Sequence, residues 1–180
     1  MACATYALKG MGQECVGAAS GLKRLLIGLQ REWTVSEDTS SAATPHSVTI
    51  SAATTGTPVF YEYFITDESS SLSSTLNVNN QNGVRYYQNV LNATFIRLRP
   101  EKHIELIALA NERLIVLAED ANNQWWVLEN ASATSEVAQT GQAADDLSGY
   151  QVELSERSAT LPWAIDADKL PSIDTPNVYE

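Results

Sequence analysis

Arg113-Leu114-Ile115-Val116-Leu117-Ala118, then Glu119-Asp120-Ala121-Asn122-Asn123, then Gln124-Trp125-Trp126-Val127-Leu128-Glu129, is the stretch that decides the fold class. Two short apolar runs rich in branched and aromatic residues flank a turn made of Asp and Asn. That order predicts a β-hairpin, because the Asx side chains hydrogen-bond the turn backbone locally while the flanks suit a pleated surface. Downstream, Thr134–Thr140 alternates weakly and Gly141–Ser148 reads as a loop. Gly149-Tyr150-Gln151-Val152-Glu153-Leu154-Ser155 alternates strictly, so Tyr150, Val152 and Leu154 share the buried face of a strand.

Upstream lies one helix. Pro100–Asn111 opens on a proline, whose missing N–H costs nothing in a first turn, and carries Glu101 where the macrodipole favours an acid. Ile104, Ile107 and Ala108 form a stripe expected to face the core, broadened by Leu106 and Leu109, and Asn111 is the expected C-cap. Before it, Val84–Leu98 reads as strand, with Phe95, Arg97 and Arg99 alternating on a charged face. The polar stretch 67–83 reads as a long hairpin arm. Ser73–Asn79 runs out, Asn82-Gly83 gives a type I′ turn and Val84–Leu91 returns. Pro58–Thr66 is a strong aromatic strand, expected to be covered on both faces. His46–Ser51 is a period-2 strand, and 36–45 is a loop. Around Leu22–Leu29 the leucines also fit a helical stripe, but Gly21, Gly28 and the flank Thr34-Val35 favour a strand. From Leu161 the prolines at 162, 171 and 176 predict an extended arm beyond a short Trp163–Ile165 segment.

Strands thus outnumber helices by roughly eight to one, with turns at the spacing expected of a sandwich or barrel. The expectation is a mainly β, single-domain chain over 1–180. It is a β-sandwich or barrel with one flanking α-helix, an N-terminal arm at 1–20, the hairpin arm at 67–83 and a C-terminal arm at 161–180.

The chain has 180 residues, of which 44% are hydrophobic and only 18% charged, and its formal net charge is −11. That balance excludes a general phosphate-backbone binder and disfavours a polybasic membrane anchor. The longest apolar stretch, Leu25–Leu29, is far short of the ~20 residues a spanning helix needs, and MACATYALKG has no export-signal pattern. Asn92-Ala93-Thr94 and Asn130-Ala131-Ser132 match the glycosylation sequon, a short pattern that is discounted without an export signal. Cys3 and Cys15 are the only cysteines, too few for a disulfide scaffold or a zinc site, so they read as ordinary thiols.

No catalytic constellation emerges. His46 and His103 are the only histidines and neither has a nucleophile motif beside it. The acidic pairs Glu37-Asp38, Asp67-Glu68, Glu119-Asp120 and Asp145-Asp146 could serve a glycosidase or a cation, but each sits in an expected turn without calcium-loop spacing. Gly10-Met11-Gly12 lacks the third glycine and the strand–helix setting of a dinucleotide fingerprint. The expectation is therefore no enzyme, no cofactor and no metal. Trp125 and Trp126 must point to opposite faces of their strand. One of them with Tyr86 or Tyr87 could stack on a sugar; the plainer reading puts one in the core and one at a subunit contact. Arg97, Arg99, Lys23, Arg24 and Arg31 hold nearly half the positive charge, and carboxylates of neighbouring subunits are their expected partners.

The order of these elements carries a resemblance. The Gly21-Leu-Lys-Arg-Leu-Leu-Ile27 run precedes a β-rich middle. Then come the helix, Arg113-Leu-Ile-Val-Leu-Ala-Glu-Asp120, Trp125-Trp126-Val-Leu-Glu129, Thr140-Gly141 and Gly149-Tyr-Gln-Val-Glu-Leu154. This resembles small structural proteins of tailed bacteriophages, the tail tube proteins above all. The resemblance implies a virion protein, assembled in the host cytoplasm. It forms hexameric rings that stack into a channel for genome passage, with other tail or neck proteins as partners, DNA passing without specific binding, and no membrane. In that picture Leu72, Leu76, Val78, Tyr86, Tyr87, Trp125, Trp126, Arg97 and Arg99 are expected at subunit contacts, and Asp67, Glu68, Glu119 and Asp120 at an acidic lumen. The alternatives are a carbohydrate- or receptor-binding module built on the tryptophans and tyrosines, and a hydrolase built on the acidic pairs.

Overall fold

The computed structural model describes residues 19–38, 46–53, 58–65, 69–143 and 146–174. The expectations placed on 1–18 (with Cys3, Cys15 and Gly10-Met11-Gly12), on Asp67, Glu68, Asp145 and Pro176 lie outside the described residues. The described chain is mainly β with one α-helix. Its elements are β1 Leu22–Leu29, β2 Trp33–Glu37, β3 Val48–Ala52, β4 Phe60–Phe64, β5 Ser71–Asn79, β6 Val84–Ile96, α1 Pro100–Asn111, β7 Leu114–Asp120, β8 Trp125–Gln139, β9 Gly149–Ser158, β10 Trp163–Ile165 and β11 Ile173–Asp174.

One large sheet runs in the order β11-β4-β1-β7-β8-β9-β6-β5, with β10 on the other edge of β8, and it does not close into a barrel. β2 and β3 form a separate pair, touching β10 through a single bridge between Ser47 and Ala164. All strand pairs are antiparallel except β11 on β4.

The unbroken apolar runs follow from two cores lying on opposite faces of β1 and β7. Leu25 and Ile27 of β1 and Leu114, Val116 and Ala118 of β7 enter one core. Leu26, Ile115 and Leu117, pointing the other way, enter the second. The first core is completed by Leu91, Ala93 and Phe95 of β6, by Tyr150, Val152 and Leu154 of β9 and by Leu109 of α1. The second is completed by Trp33, Val48, Ile50, Phe60, Trp125, Val127 and Ile165. A strand buried on both faces needs no alternation, and each such Leu or Ile contributes about 1.5–3 kcal/mol on burial.

Close backbone approach explains two glycines. A Cβ on Gly149 would sit 2.1 Å from the Phe95 carbonyl oxygen, and one on Gly28 would sit 2.8 Å from Trp33 Nε1.

Several expectations change. β8 is one 15-residue strand rather than a hairpin strand followed by a weak one. Its first part pairs with β7 and β10 and its second with β9, across register shifts that let it bend from one half of the sheet to the other. β6 stops at Ile96, and Arg97 takes a left-handed φ of 66°, so Arg97 and Arg99 do not continue a charged strand face. The 79–84 connection is a four-residue turn with a positive φ at Gly83 but not at Asn82, closed by Asn79 Oδ1 accepting from Gln81 N and Asn82 N; it is not type I′. β4 is partly covered on each face: Phe60 enters the second core and Tyr63 packs against the first, while Tyr61 and Phe64 are 50% and 58% exposed.

The helix keeps its expected bounds but turns its expected core stripe outward. Ile104 and Ile107 are 72% and 62% exposed, whereas Leu109 is buried and Leu106 packs against the first core. Two adjacent stripes of α1 are both apolar, so periodicity cannot choose between them. The anchor at its N-terminus does. Tyr150 Oη bridges the backbone N–H and C=O of Arg99 at 3.1 Å each, and Lys102 Nζ donates to the Ile96 carbonyl at 2.7 Å. The C-cap is Glu112; Asn111 instead donates its side-chain amide to the Ile107 carbonyl.

From Pro162 to Asp174 the chain folds back over the body rather than projecting. β10 pairs with β8 and β11 with β4, and Lys169 forms ion pairs with Asp38 at 2.5 Å and Asp166 at 3.1 Å.

Candidate functional site

Four strand segments form one end of the large sheet: Ser132–Gln139 of β8, then β9, β6 and β5. One face packs on the first core through Leu72, Leu91, Ala93, Tyr150, Val152, Leu154 and Ala133. The registers place Ser71, Ser73, Thr75 and Asn77, then Gln88 and Asn92, then Gln151, Glu153, Ser155 and Arg157, then Ser132 and Ser135 on the opposite face. That face is largely hydroxyls and amides, interrupted by Val84, Tyr86, Val90, Ile96 and Val137, with Glu153 and Arg157 as opposite charges in β9.

Both margins of this four-stranded segment are open. β5 pairs only with β6, and Ser132–Gln139 only with β9, among the described residues. β5 keeps an unbroken register from Ser71↔Asn92 to Asn79↔Val84 and contains no charge, no proline and no bulge. Its unpaired backbone groups are thus presented in a flat row, the kind of edge that proteins ordinarily blunt when nothing is meant to pair with it. Ser132–Gln139 carries Glu136 as its one charge; burial raises the carboxyl pKa of Glu136.

A polar row holds this segment in register. Ser74 Oγ donates to Asn89 Oδ1 (2.8 Å), and Asn89 Nδ2 donates to Glu156 Oε2 (3.2 Å). The other oxygen, Glu156 Oε1, accepts from the backbone N–H groups of Glu129 (2.9 Å) and Asn130 (2.8 Å), where β8 departs from its register with β7. One residue from each of β5, β6 and β9 therefore reaches the bend of β8. Glu156 is only 7% exposed, and donors rather than a cation satisfy it. Burial first, and then repulsion from Glu156, raises the pKa of the neighbouring Glu129. Sequence reasoning missed this row. The available signal was that Glu156 continues the phase of Tyr150, Val152 and Leu154, a carboxylate placed where the pattern demands an apolar residue.

The expected acidic lumen residues have other engagements. Glu119 accepts from Arg24 Nε (2.8 Å), and Arg24 Nη1 also donates to the buried Glu62 (3.1 Å), with the guanidinium 5.1 Å from the Trp125 ring centre. The Glu119 bond, the largest of the opposing influences, holds the Arg24 pKa above its usual value. Asp120 closes the β7–β8 turn: Oδ1 accepts from Asn122 N and Gln124 N, and Oδ2 from Trp126 Nε1 at 3.0 Å.

The expected contact residues separate into groups. Leu76, Val78 and Val84 are exposed on the β5–β6 hairpin, whereas Leu72 packs against the first core. Tyr86, half-buried, lies 5.6 Å under the Arg157 guanidinium, and Tyr87 is half-buried beside it. Trp125 is 2% exposed and Trp126 half-buried, one on each face as expected. No ring contact joins either tryptophan to Tyr86 or Tyr87 among the described residues. His46 stacks on Trp163 (4.0 Å) and His103 meets Tyr150 edge-on (5.4 Å). No group of His, Cys, Asp or Glu among the described residues is arranged to hold a metal.

A separate groove of about 700 Å³ lies between the outer side of β4 and the β6–α1 corner. Tyr61, Phe64, Ile96 and Leu106 give it apolar walls, and Arg97, Arg99 and Lys102 line its rim. Of its carboxylates, Glu62 is engaged by Arg24, and Glu105 accepts from Tyr63 Oη, whose pKa is raised by burial first and then by that contact; Glu101 is exposed. Burial, followed by the nearby Arg99 and Arg97 charges, lowers the pKa of the Lys102 amine. The chain matches no protein-family model, no curated protein and no solved structure.

Proposed function

We propose that this chain is a non-enzymatic ring subunit of a tailed-phage tube or neck, closing with its own copies into a channel for genome passage. The single observation that carries the reading is the four-stranded segment with two open, charge-poor margins. Its strands alternate in direction from β8 through β9 and β6 to β5. Because their number is even, β5 of one copy meets β8 of a rotated copy antiparallel, and the alternation continues around the ring without a break. Closure removes both exposed margins at once.

Six such segments make a 24-strand cylinder roughly 50 Å across, from the strand spacing and the tilt of closed barrels, wide enough for duplex DNA. The hydroxyl- and amide-rich face would line it, presenting no cationic field for phosphates to bind. In this reading Glu119 and Asp120 stay at the β7–β8 turn and the lumen is neutral-polar rather than acidic.

Negative-stain imaging and mass measurement of the purified chain at high concentration test this. Rings or tubes are the expected result; a stable monomer that neither self-associates nor joins tail or neck proteins would remove the proposal. Specific glycan binding by such a monomer, lost on Trp126→Ala, would favour the carbohydrate-binding alternative instead.

A further inference from the structure

We infer that the two open margins meet in one register, with Thr75 of one copy opposite Ser135 of the next and Ser71 opposite Gln139. This deepens the ring reading and rests on it.

The margins are staggered within a single chain. The registers lead from Ser71 to Asn92, from Asn92 to Glu153 and from Glu153 to Ser135, so Ser71 and Ser135 lie level. From that level β5 runs one way, to Asn79, and β8 runs the other, to Gln139. A copy added level would pair only Ser71, Leu72 and Ser73, with Ser135, Ala133 and Ser132. Sliding it by about four residues along the strands pairs Ser71–Asn77 with Gln139–Ser132, across the register shift between Ala133 and Ser135.

Geometry selects that slide. Side-chain alternation allows only even slides, because an odd one sets the core-facing side chains of β5 beside the polar face of β8. Over four strands about 4.8 Å apart, slides of about two, four and six residues at roughly 3.4 Å each tilt the strands by about 20°, 35° and 47°. Closed barrels take about 35–45°, whatever the number of copies. A slide of six also sets Leu76 opposite Glu136, whose carboxylate it cannot satisfy. The slide of four sets Leu76 opposite Ala133 and Leu72 opposite Ala138, and Glu136 faces the Ser74 hydroxyl.

The hand agrees as well. Arg97 N–H donates to the Ser148 carbonyl, and Thr94 N–H to Ser70 Oγ. Leu91, Ala93 and Phe95, which face the core, therefore aim their backbone groups at β9, and the residues between them aim theirs at β5. For L-residues this places β9 to the right of an upward β6 seen from the core side. The slide then makes the strands climb to the right. With the polar face inside, that is the right-handed coil that twisted strands give a closed barrel.

Disulfide trapping tests the register in full-length chains whose Cys3 and Cys15 are replaced by serine. Opposed residues hold their Cβ atoms about 5 Å apart and diagonal ones about 7–8 Å, beyond the reach of a disulfide. Thr75→Cys with Ser135→Cys should link neighbouring copies on mild oxidation. So should Ser71→Cys with Gln139→Cys, at the far end of the contact. Ser73→Cys or Asn77→Cys, each with Ser135→Cys, should link at least tenfold more slowly. Rings in which the Ser73 or Asn77 pair links fastest, in which all pairs link alike, or in which none links, overturn this register and leave the ring reading standing. A wild-type chain that forms no ring removes both.

Discussion

Glu156 accepts the side-chain amide of Asn89 at 3.2 Å, and through its other oxygen it takes both N–H groups of the β8 bend. A buried carboxylate without a cation is tolerable only because donors meet it on every side. Removing it should therefore cost more than its own interactions suggest. Glu156→Ala leaves two backbone N–H groups and the Asn89 amide without an acceptor, a loss of roughly 3–9 kcal/mol at about 1–3 kcal/mol for each buried unsatisfied group. Glu156→Gln keeps one acceptor oxygen and should lose about half as much. Urea denaturation of the two variants gives the comparison, and equal losses would show that the row is not what holds the bend.

Glu129 gives the pH dependence. Its folded pKa is raised, by burial and then by Glu156, so the folded state holds this proton more tightly than the unfolded chain does. As pH rises above the ordinary Glu range, the unfolded chain releases the proton first, and stability falls until the folded form has released it too. Glu129→Gln removes that penalty. The variant should gain little over the wild-type chain near pH 4 and progressively more towards pH 7. A constant difference across urea titrations from pH 4 to 7 would contradict the assignment.

Arg24 bridges Glu62 and Glu119, and Glu62 is 7% exposed. Arg24→Met keeps much of the packing over Trp125 but leaves both carboxylates without their cation. Because Arg24 itself is partly exposed, the expected loss is about 2 kcal/mol rather than the 3–5 kcal/mol of a fully buried pair. Adding Glu62→Gln and Glu119→Gln should recover part of it, which a double-mutant analysis by thermal denaturation would reveal.

The helix shows what the sequence could and could not convey. Its bounds were legible because Pro100 and the apolar run fix them, but both Ile104/Ile107 and Leu106/Leu109 satisfy a 3.6-residue period. Contacts made on folding set the rotation: Tyr150, 51 positions away, clasps the Arg99 backbone, Lys102 donates to the Ile96 carbonyl and Leu109 enters the first core. The β7–β8 hairpin and the buried face of β9 were legible because turn chemistry and alternation are local. The open margins were not, because whether a strand has a second neighbour depends on pairings between distant segments. Glu119 and Asp120 read as surface acids for the same reason: their partners, Arg24 and Trp126, become neighbours only on folding. The inverted helix predicts that Leu109→Ala costs about 2–4 kcal/mol, while Ile104→Ser with Ile107→Ser stays within roughly 1 kcal/mol by thermal denaturation.

The two open margins predict a directional pattern of assembly defects. Backbone groups of successive residues along β5 point alternately towards β6 and away from it, so of Thr75→Pro and Leu76→Pro one removes an internal ladder bond and the other an outward donor. The inward variant should lose stability by about 3 kcal/mol. The outward one should keep its melting temperature within a few degrees yet fail to form rings. The same logic applied to Glu136→Pro and Val137→Pro blocks the β8 margin. Each blocked chain retains one good edge of opposite kind, so mixing an outward β5 variant with an outward β8 variant should give a 1:1 dimer and nothing larger. Size-exclusion chromatography with mass detection reads this directly. Rings that persist in both blocked chains, or a mixture that stays monomeric while each variant remains folded, would show that β5 and β8 are not the surfaces that meet.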